Sequence, residues 1–140
     1  MANRGYWAAM SPENAEELVR WGYDWFNRER EPPPNWLPDG EFVNAREDPD
    51  HATYCGIDAI RKQHQGWFDS YPDLRVEPLE IQSNGDRVFA WVHFSGHGAD
   101  SGAPMAMELA HVLTFEGGNL RRLEEYFDRD EALRAVGLGE

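Results

Sequence analysis

Apolar positions along the chain follow two periods in turn. From Ser11 to Arg30, "SPENAEELVRWGYDWFNRER", they recur at helical spacing. Leu18, Trp21, Gly22 and Trp25 fall on one stripe, with Val19 and Phe26 on its flank. Ser11 is placed to cap this helix, Pro12 suits its first turn, and Glu13 and Glu16 favour the positive end of its dipole. "EPPPNWLPDG" cannot continue the helix, because proline lacks an N–H and clashes with the preceding turn, so it predicts a loop. A short strand, "EFVNA", and a polar loop, "REDPDHATY", follow. A second helix is predicted over residues 57–69, with Ile57, Ile60, His64 and Trp67 or Phe68 as its apolar stripe and Pro72 as its stop.

Beyond Pro72 the period drops to two. "LRVEPLEI", "RVFAWVHFSG", "MAMELAHVLTF" and "LRRLEEYF" read as four consecutive strands. "SNGD" and "EGGN" are hairpin turns whose glycines supply positive φ, "HGADSGAPM" is a longer connection, and "DEALRAVGLG" makes a short closing helix. Helices first and a meander afterwards predict an α+β fold, with the helices packed on one face of a bent, mostly antiparallel sheet.

Parity then sorts the strand side chains. Met105, Met107, Leu109, His111, Leu113 and Phe115 form the bulkier face of their strand, with His111 as its one polar member. Leu123, Glu125 and Phe127 share a face of the next strand, which puts Glu125 inside. A carboxylate buried alone is costly and needs a partner. His111 sits across the hairpin, so a histidine and an acid meet in one apolar concavity. The plain alternative is a structural pair that satisfies itself, and a bulge would turn Glu125 outward. On the strand before, Val88, Ala90, Val92 and Phe94 suit a pocket lining, while Trp91, His93, Ser95 and His97 suit a subunit contact. Metal chelation by His93 and His97 is disfavoured, since four strand residues separate their backbones by roughly 13 Å.

Composition narrows the classes. At 140 residues, 41% of them hydrophobic, the chain can build the core of one domain spanning residues 1–140. A net charge of -13 repels phosphate backbones and anionic lipid, which argues against nucleic-acid and membrane partners. No apolar run reaches the roughly 20 residues of a membrane helix, and the first residues do not read as a signal peptide. Cys55 is the one cysteine; it reads as a small buried hydrophobe, and a cytoplasmic location is the expectation. No glycine-rich phosphate loop follows a strand and no metal-ligand cluster is evident, so no cofactor and no metal are implied.

The chain resembles the NTF2-like superfamily, in particular its SnoaL-like, polyketide-cyclase-like branch. The matching pieces are "WFNRE", "PDGEFVN", "GIDAIRKQ", "YPDLRVEPLEI", "NGDRVFAWVHFSGHG", "AHVLTFEGGNLRRLEEYFD" and "EALRAVGLG", in the family's order over nearly the whole chain. The resemblance implies a cone-shaped, strongly curved sheet over the helices, a pocket in its open end, and a homodimer through the outer sheet face. It also implies acid–base work by a strand histidine and an acid on the following strand, at His111 and Glu125; that acid is usually aspartate. Asp128 matches a frequent family aspartate whose plainest role is to cap the last helix, and Asp39 lies near where other members place an acid.

The expected function is that of a small-molecule enzyme moving protons next to a carbonyl, in cyclisation, isomerisation or dehydration of a hydrophobic substrate. Glu125 is the expected base, since burial moves a carboxylate toward the working range of such a catalyst. His111 would polarise the carbonyl or return the proton. Trp25, Tyr54, Trp67, Val92, Met107 and Phe127 are the expected pocket walls. Two rivals stand beside this reading. One is a non-catalytic binding module of the same fold. The other is a water-activating, epoxide-type hydrolase, which needs an acid–arginine–acid cluster.

Overall fold

The computed structural model describes residues 12–139. The Ser11 cap lies outside the described residues. Helix α1 (Pro12–Glu29) is followed by β1 (Trp36–Val43), β2 (Thr53–Cys55), α2 (Ile57–Ser70), β3 (Arg75–Asn84), β4 (Arg87–His97), β5 (Pro104–Glu116), β6 (Asn119–Tyr126) and α3 (Arg129–Ala135). The six strands form one open sheet in the order β2-β1-β6-β5-β4-β3. Every neighbouring pair is antiparallel except β1 and β6, which run parallel. The α+β architecture read from the sequence is therefore the observed one. Two details differ: the first strand begins at Trp36, inside the stretch read as a loop, and residues 53–55 pair with it as a short edge strand.

Two-residue turns set the β3–β4 and β5–β6 registers. Asn84 pairs with Arg87 and Glu116 with Asn119, and Gly85, Gly117 and Gly118 take φ of 66°, 55° and 83°. Such turns match the strand twist only with positive φ, which glycine adopts freely. A bulge between Thr114 and Phe115 leaves Arg121 as the extra residue of β6. The bulge lets Leu120 and Leu123 both point inward, and by shifting the register one residue it sets Glu125, rather than Glu124, opposite His111.

The main core joins Ala15, Leu18, Val19, Tyr23 and Phe26 of α1 to Ile60 and Phe68 of α2 and to the inner sheet face, including Val88, Ala90, Val92 and Phe94. The buried stripe of α1 is thus turned from the one expected: Tyr23 and Phe26 face the sheet, while Trp21 and Trp25 are only partly buried. The orientation is fixed partly by Asn27, whose side chain donates to the Val76 carbonyl at 2.8 Å and accepts from the Val76 N–H at 2.9 Å, filling the place of a strand neighbour. Arg30 adds a bond to the Leu74 carbonyl at 2.6 Å.

The outer sheet face is partly covered. Phe89, Ala110 and Val112 pack against Ala132 of α3 and Val136 at its C-terminal cap. Asp128 caps that helix, its carboxylate accepting from the Glu131 N–H at 3.1 Å. Trp91 and His93 remain half-buried beside α3, both bonded to Glu108. Cys55 is exposed rather than buried, its thiol 3.9 Å from Glu41. Among the described residues no helix is long and apolar enough to cross a membrane.

Candidate active site

His111 and Glu125 are direct cross-strand partners on β5 and β6. Both are buried, at 4% and 9% exposure. Their side chains approach at 3.4 Å between Nε2 and Oε2. The second Glu125 oxygen accepts from Asn44 Nδ2 at 3.3 Å. Asn44 directly follows β1, and its N–H bonds the Ala52 carbonyl at 3.0 Å, which ties it to the return of the chain into β2. The other imidazole nitrogen, Nδ1, lies 2.7 Å from the Tyr23 hydroxyl.

That last contact sets the tautomer. Burial, and then the nearby Glu125 charge, push the Tyr23 phenol well above its ordinary pKa, so it keeps its proton. Its O–H meets no other acceptor in the hydrogen-bond pattern of the described residues, so it donates to Nδ1. A neutral imidazole whose Nδ1 accepts carries its proton on Nε2, the atom that faces Glu125. Tyr23, His111 and Glu125 thus form one directional chain. Tyr23, Phe42 and Phe94 surround the imidazole, with ring centroids 5.8, 6.5 and 5.9 Å away.

Two hollows flank this chain. An inner chamber of about 60 Å³ is lined by Tyr23, Phe26, Phe42, His64, Trp67, Phe94 and His111, among others. An outer hollow of about 210 Å³ is lined by Asn44, Asp48, Trp67, Phe94, Met107, Glu125 and Phe127, with further apolar groups. Trp67 and Phe94 line both, with ring centroids 6.4 Å apart, and form the partition. Glu125 also borders a third, more polar hollow with Arg46, His51 and Glu131. Glu125 therefore lines the second and third hollows, and His111 the first.

The other expected site residues divide. Trp67, Met107 and Phe127 line the outer hollow, the last two being 43% and 41% exposed. Tyr54 packs on the core, and Val92 is fully buried within it; neither lines any of these three hollows. Trp25 is turned away with its helix face and sits against Trp21 and Arg28. Asp39 is 79% exposed and pairs with Arg121 at 2.9 Å, away from His111. Asp128 is occupied in capping α3. Acid–arginine–acid clusters do exist: Asp39–Arg121–Glu116 and Glu41–Arg122–Glu124 have their arginines outside the three hollows, whereas Glu47–Arg46–Glu131 borders the third, polar one. Arg75, Arg87 and Arg122 line none of them either.

Tyr23, Asn44 and His64 were not singled out from the sequence as site residues. The available signal for Tyr23 was its place four residues after Val19 and three before Phe26. His64 is 5% exposed, and both its ring nitrogens are buried without a hydrogen-bond partner. Burial, and then the nearby His111, lower its pKa to about 3, so it is neutral. It stacks on Trp67 at 4.5 Å between centroids. His93 and His97 pair with separate carboxylates, Glu108 and Asp73. Among the described residues no group of three or more His, Cys, Asp or Glu could hold a metal ion.

Comparison with known proteins places this geometry. A family model described as a SnoaL-like domain matches residues 36–123. No curated protein matches the chain. Among solved structures, the chain is similar to an NTF2-like protein of unknown function from Burkholderia pseudomallei K96243, with 24% identity and TM-score 0.68, covering 91% of this chain and 99% of that one. It is similar to a protein of ketosteroid isomerase-like fold from Catenulispora acidiphila DSM 44928, solved with trimethylamine, with 22% identity and TM-score 0.65, covering 87% and 93%. It is also similar to TerC, co-crystallised with polyporic acid, with 20% identity and TM-score 0.64, covering 86% and 95%. These likenesses show the NTF2-like fold.

Proposed function

The chain belongs to the SnoaL-like domain family, and from that premise we propose that it is a small-molecule enzyme acting by proton transfer next to a carbonyl. The observation that carries this reading is the Tyr23–His111–Glu125 chain, with its carboxylate end opening on an apolar hollow. In the proposal, a hydrophobic ketone or enol lies against Met107, Phe127 and Trp67, and Glu125 takes the acidic C–H proton. Asn44 and the Nε2–H of His111 hold the carboxylate in place through one oxygen each. Glu125, once protonated, gives the proton back to the enolate at its new position, while His111, its ring fixed by Tyr23, orients the carboxylate through its Nε2–H. Cyclisation, isomerisation and dehydration all share this first step. The co-crystallisation of TerC, a protein of this fold, with polyporic acid supports a small-molecule guest.

The same reading takes the protein as a homodimer, a second copy meeting the part of the outer face that α3 leaves uncovered, around Trp91, His93 and Glu108. A non-catalytic binding module is the second reading. What favours it is that both nitrogens of His111 are already engaged.

The test uses 2-tetralone, an apolar bicyclic ketone, in deuterated water. Proton transfer predicts protein-dependent exchange of its α-protons, abolished in Glu125→Gln while tetralone still binds. A binding module gives the same affinity in both forms and no exchange above buffer.

A further inference from the structure

Proton transfer at Glu125 leaves one buried polar group unused. His64 lies on the buried face of α2, packed edge-on against Phe26 and Phe42 and stacked on Trp67. Neither ring nitrogen meets a protein donor or acceptor. A neutral imidazole has one donor and one acceptor, and leaving both unmade in a dry setting is unfavourable. Leucine would pack the same stripe without that penalty, and helix formation does not ask for histidine. The other histidine on the chamber wall, His111, has a partner for each nitrogen. His64 therefore brings unused hydrogen-bonding capacity to the wall of the inner chamber.

We propose that the inner chamber is a ligand subsite in which His64 recognises the neutral oxygen, hydroxyl or carbonyl, of a molecule whose remaining body is apolar. The inference rests on the reading above only in taking this pocket to hold the ligand. The size argument places the oxygen inside and the body outside. A benzene-sized guest occupies a cavity of about 150 Å³. The chamber offers about 60 Å³, enough for an oxygen and a carbon or two, whereas the outer hollow offers about 210 Å³. The two share Trp67 and Phe94, so a ring in the outer hollow extends a short oxygen-bearing arm past these side chains toward His64. Charge selects against other guests. The imidazole is neutral, and among the described residues the chamber is lined by no lysine, arginine, aspartate or glutamate, so a carboxylate or an ammonium would find no charged partner among them.

Benzyl alcohol and ethylbenzene test this, since they differ only by hydroxyl against methyl. Each is titrated into the full chain labelled with 15N-histidine. Benzyl alcohol is expected to move the His64 ring-nitrogen shifts saturably, whereas ethylbenzene leaves them nearly unmoved. In His64→Leu, benzyl alcohol affinity should fall about 10-fold, the scale of one lost hydrogen bond, while ethylbenzene affinity stays or rises. His64→Gln, which restores a donor and an acceptor, should regain part of the loss. Unmoved His64 shifts overturn the proposal, as does equal benzyl alcohol affinity in wild type and His64→Leu, or no binding of either probe. Glu125→Gln separates the two readings: it removes proton exchange but keeps the His64 response. Failure of exchange in the wild type would leave the His64 result standing.

Discussion

Acidification should destabilise this protein in part through one side chain, and removing that side chain should remove that part of the effect. His64 is buried and its pKa is lowered to about 3, against an ordinary value of 6.5. The unfolded chain binds the His64 proton below pH 6.5, whereas the folded chain refuses it until near pH 3. Stability from this group is therefore present above 6.5 and is lost as pH falls toward 3. With those two values the loss between pH 7 and pH 5 comes to about 2 kcal/mol. At a urea slope of about 2 kcal/mol/M, the midpoint moves down by about 1 M. The assay is urea unfolding of wild type and His64→Leu at pH 7 and pH 5, followed by tryptophan fluorescence. Carboxylates that titrate in the same window act in both proteins and cancel in the difference. His64→Leu should be as stable as wild type or more so at pH 7, because it no longer buries two unpaired nitrogens. Its midpoint should drop by about 1 M less than that of wild type on going to pH 5. Parallel drops in the two proteins would refute the reasoning.

Tyr23→Phe removes the donor to His111 Nδ1 and leaves that nitrogen buried, so stability should fall by about 1–3 kcal/mol by denaturant titration. The raised phenol pKa adds a sign: its stability contribution is present below pH 10 and is lost as pH climbs past that value, so the variant should show a flatter alkaline limb. An unchanged midpoint and an unchanged limb would together rule out the hydrogen-bonded chain. At Gly40, an added Cβ would meet Trp36 Cε3 at 2.9 Å and the Leu120 and Arg121 carbonyls at 3.2 Å. Gly40→Ala should therefore cost about 1–3 kcal/mol, read as a lower thermal midpoint, and a midpoint within a degree of wild type would contradict the β1–β6 packing described above.

Periodicity carried the sheet and the His111–Glu125 encounter because strand parity is a binary property. Each strand side chain had only two choices, Glu125 shares the parity of Leu123, and the bulge at Arg121, between the EGGN turn and Glu125, supplied the one-residue shift that sets Glu125 opposite His111. Helix facing is continuous, and aromatic residues surround α1, so Trp25 looked as eligible as Tyr23 or Phe26. What decided between them was the Asn27 clasp on β3 and the stack of Phe26 on Phe68, both long-range. The strand beginning at Trp36 was hidden by the prolines around it. Its pairing with β6 is parallel and distant in sequence, so no local turn announces it. Asp39 was expected as a site acid because it lies near where other members of the family place one, but it lies beside Arg121 at the surface, where pairing with a cation in water suffices to explain it. Cys55 was misjudged for a similar reason: β2 is an edge strand whose three residues are at most half-buried.

The physical logic of the site lies in how it distributes polarity. The inner wall carries a phenol that keeps its proton and an imidazole that refuses one, so both are neutral hydrogen-bonding groups. The carboxylate stands on the other side of the Trp67–Phe94 partition, beside Asn44 and toward the wider hollow. An apolar core of this size would be more stable with leucine at position 64, if folding were its only task. Each polar group kept there lowers stability unless something bonds it. Tyr23 is bonded by His111, which is in turn bonded to Glu125, so their burial is explained within the protein. His64 is not explained that way. If His64→Leu proved more stable at neutral pH and lost selectivity for the hydroxyl probe, the two results together would identify the missing bond as one made by a guest. If the variant were instead less stable and equally selective, His64 would be a packing residue, and recognition would have to come from the outer hollow alone.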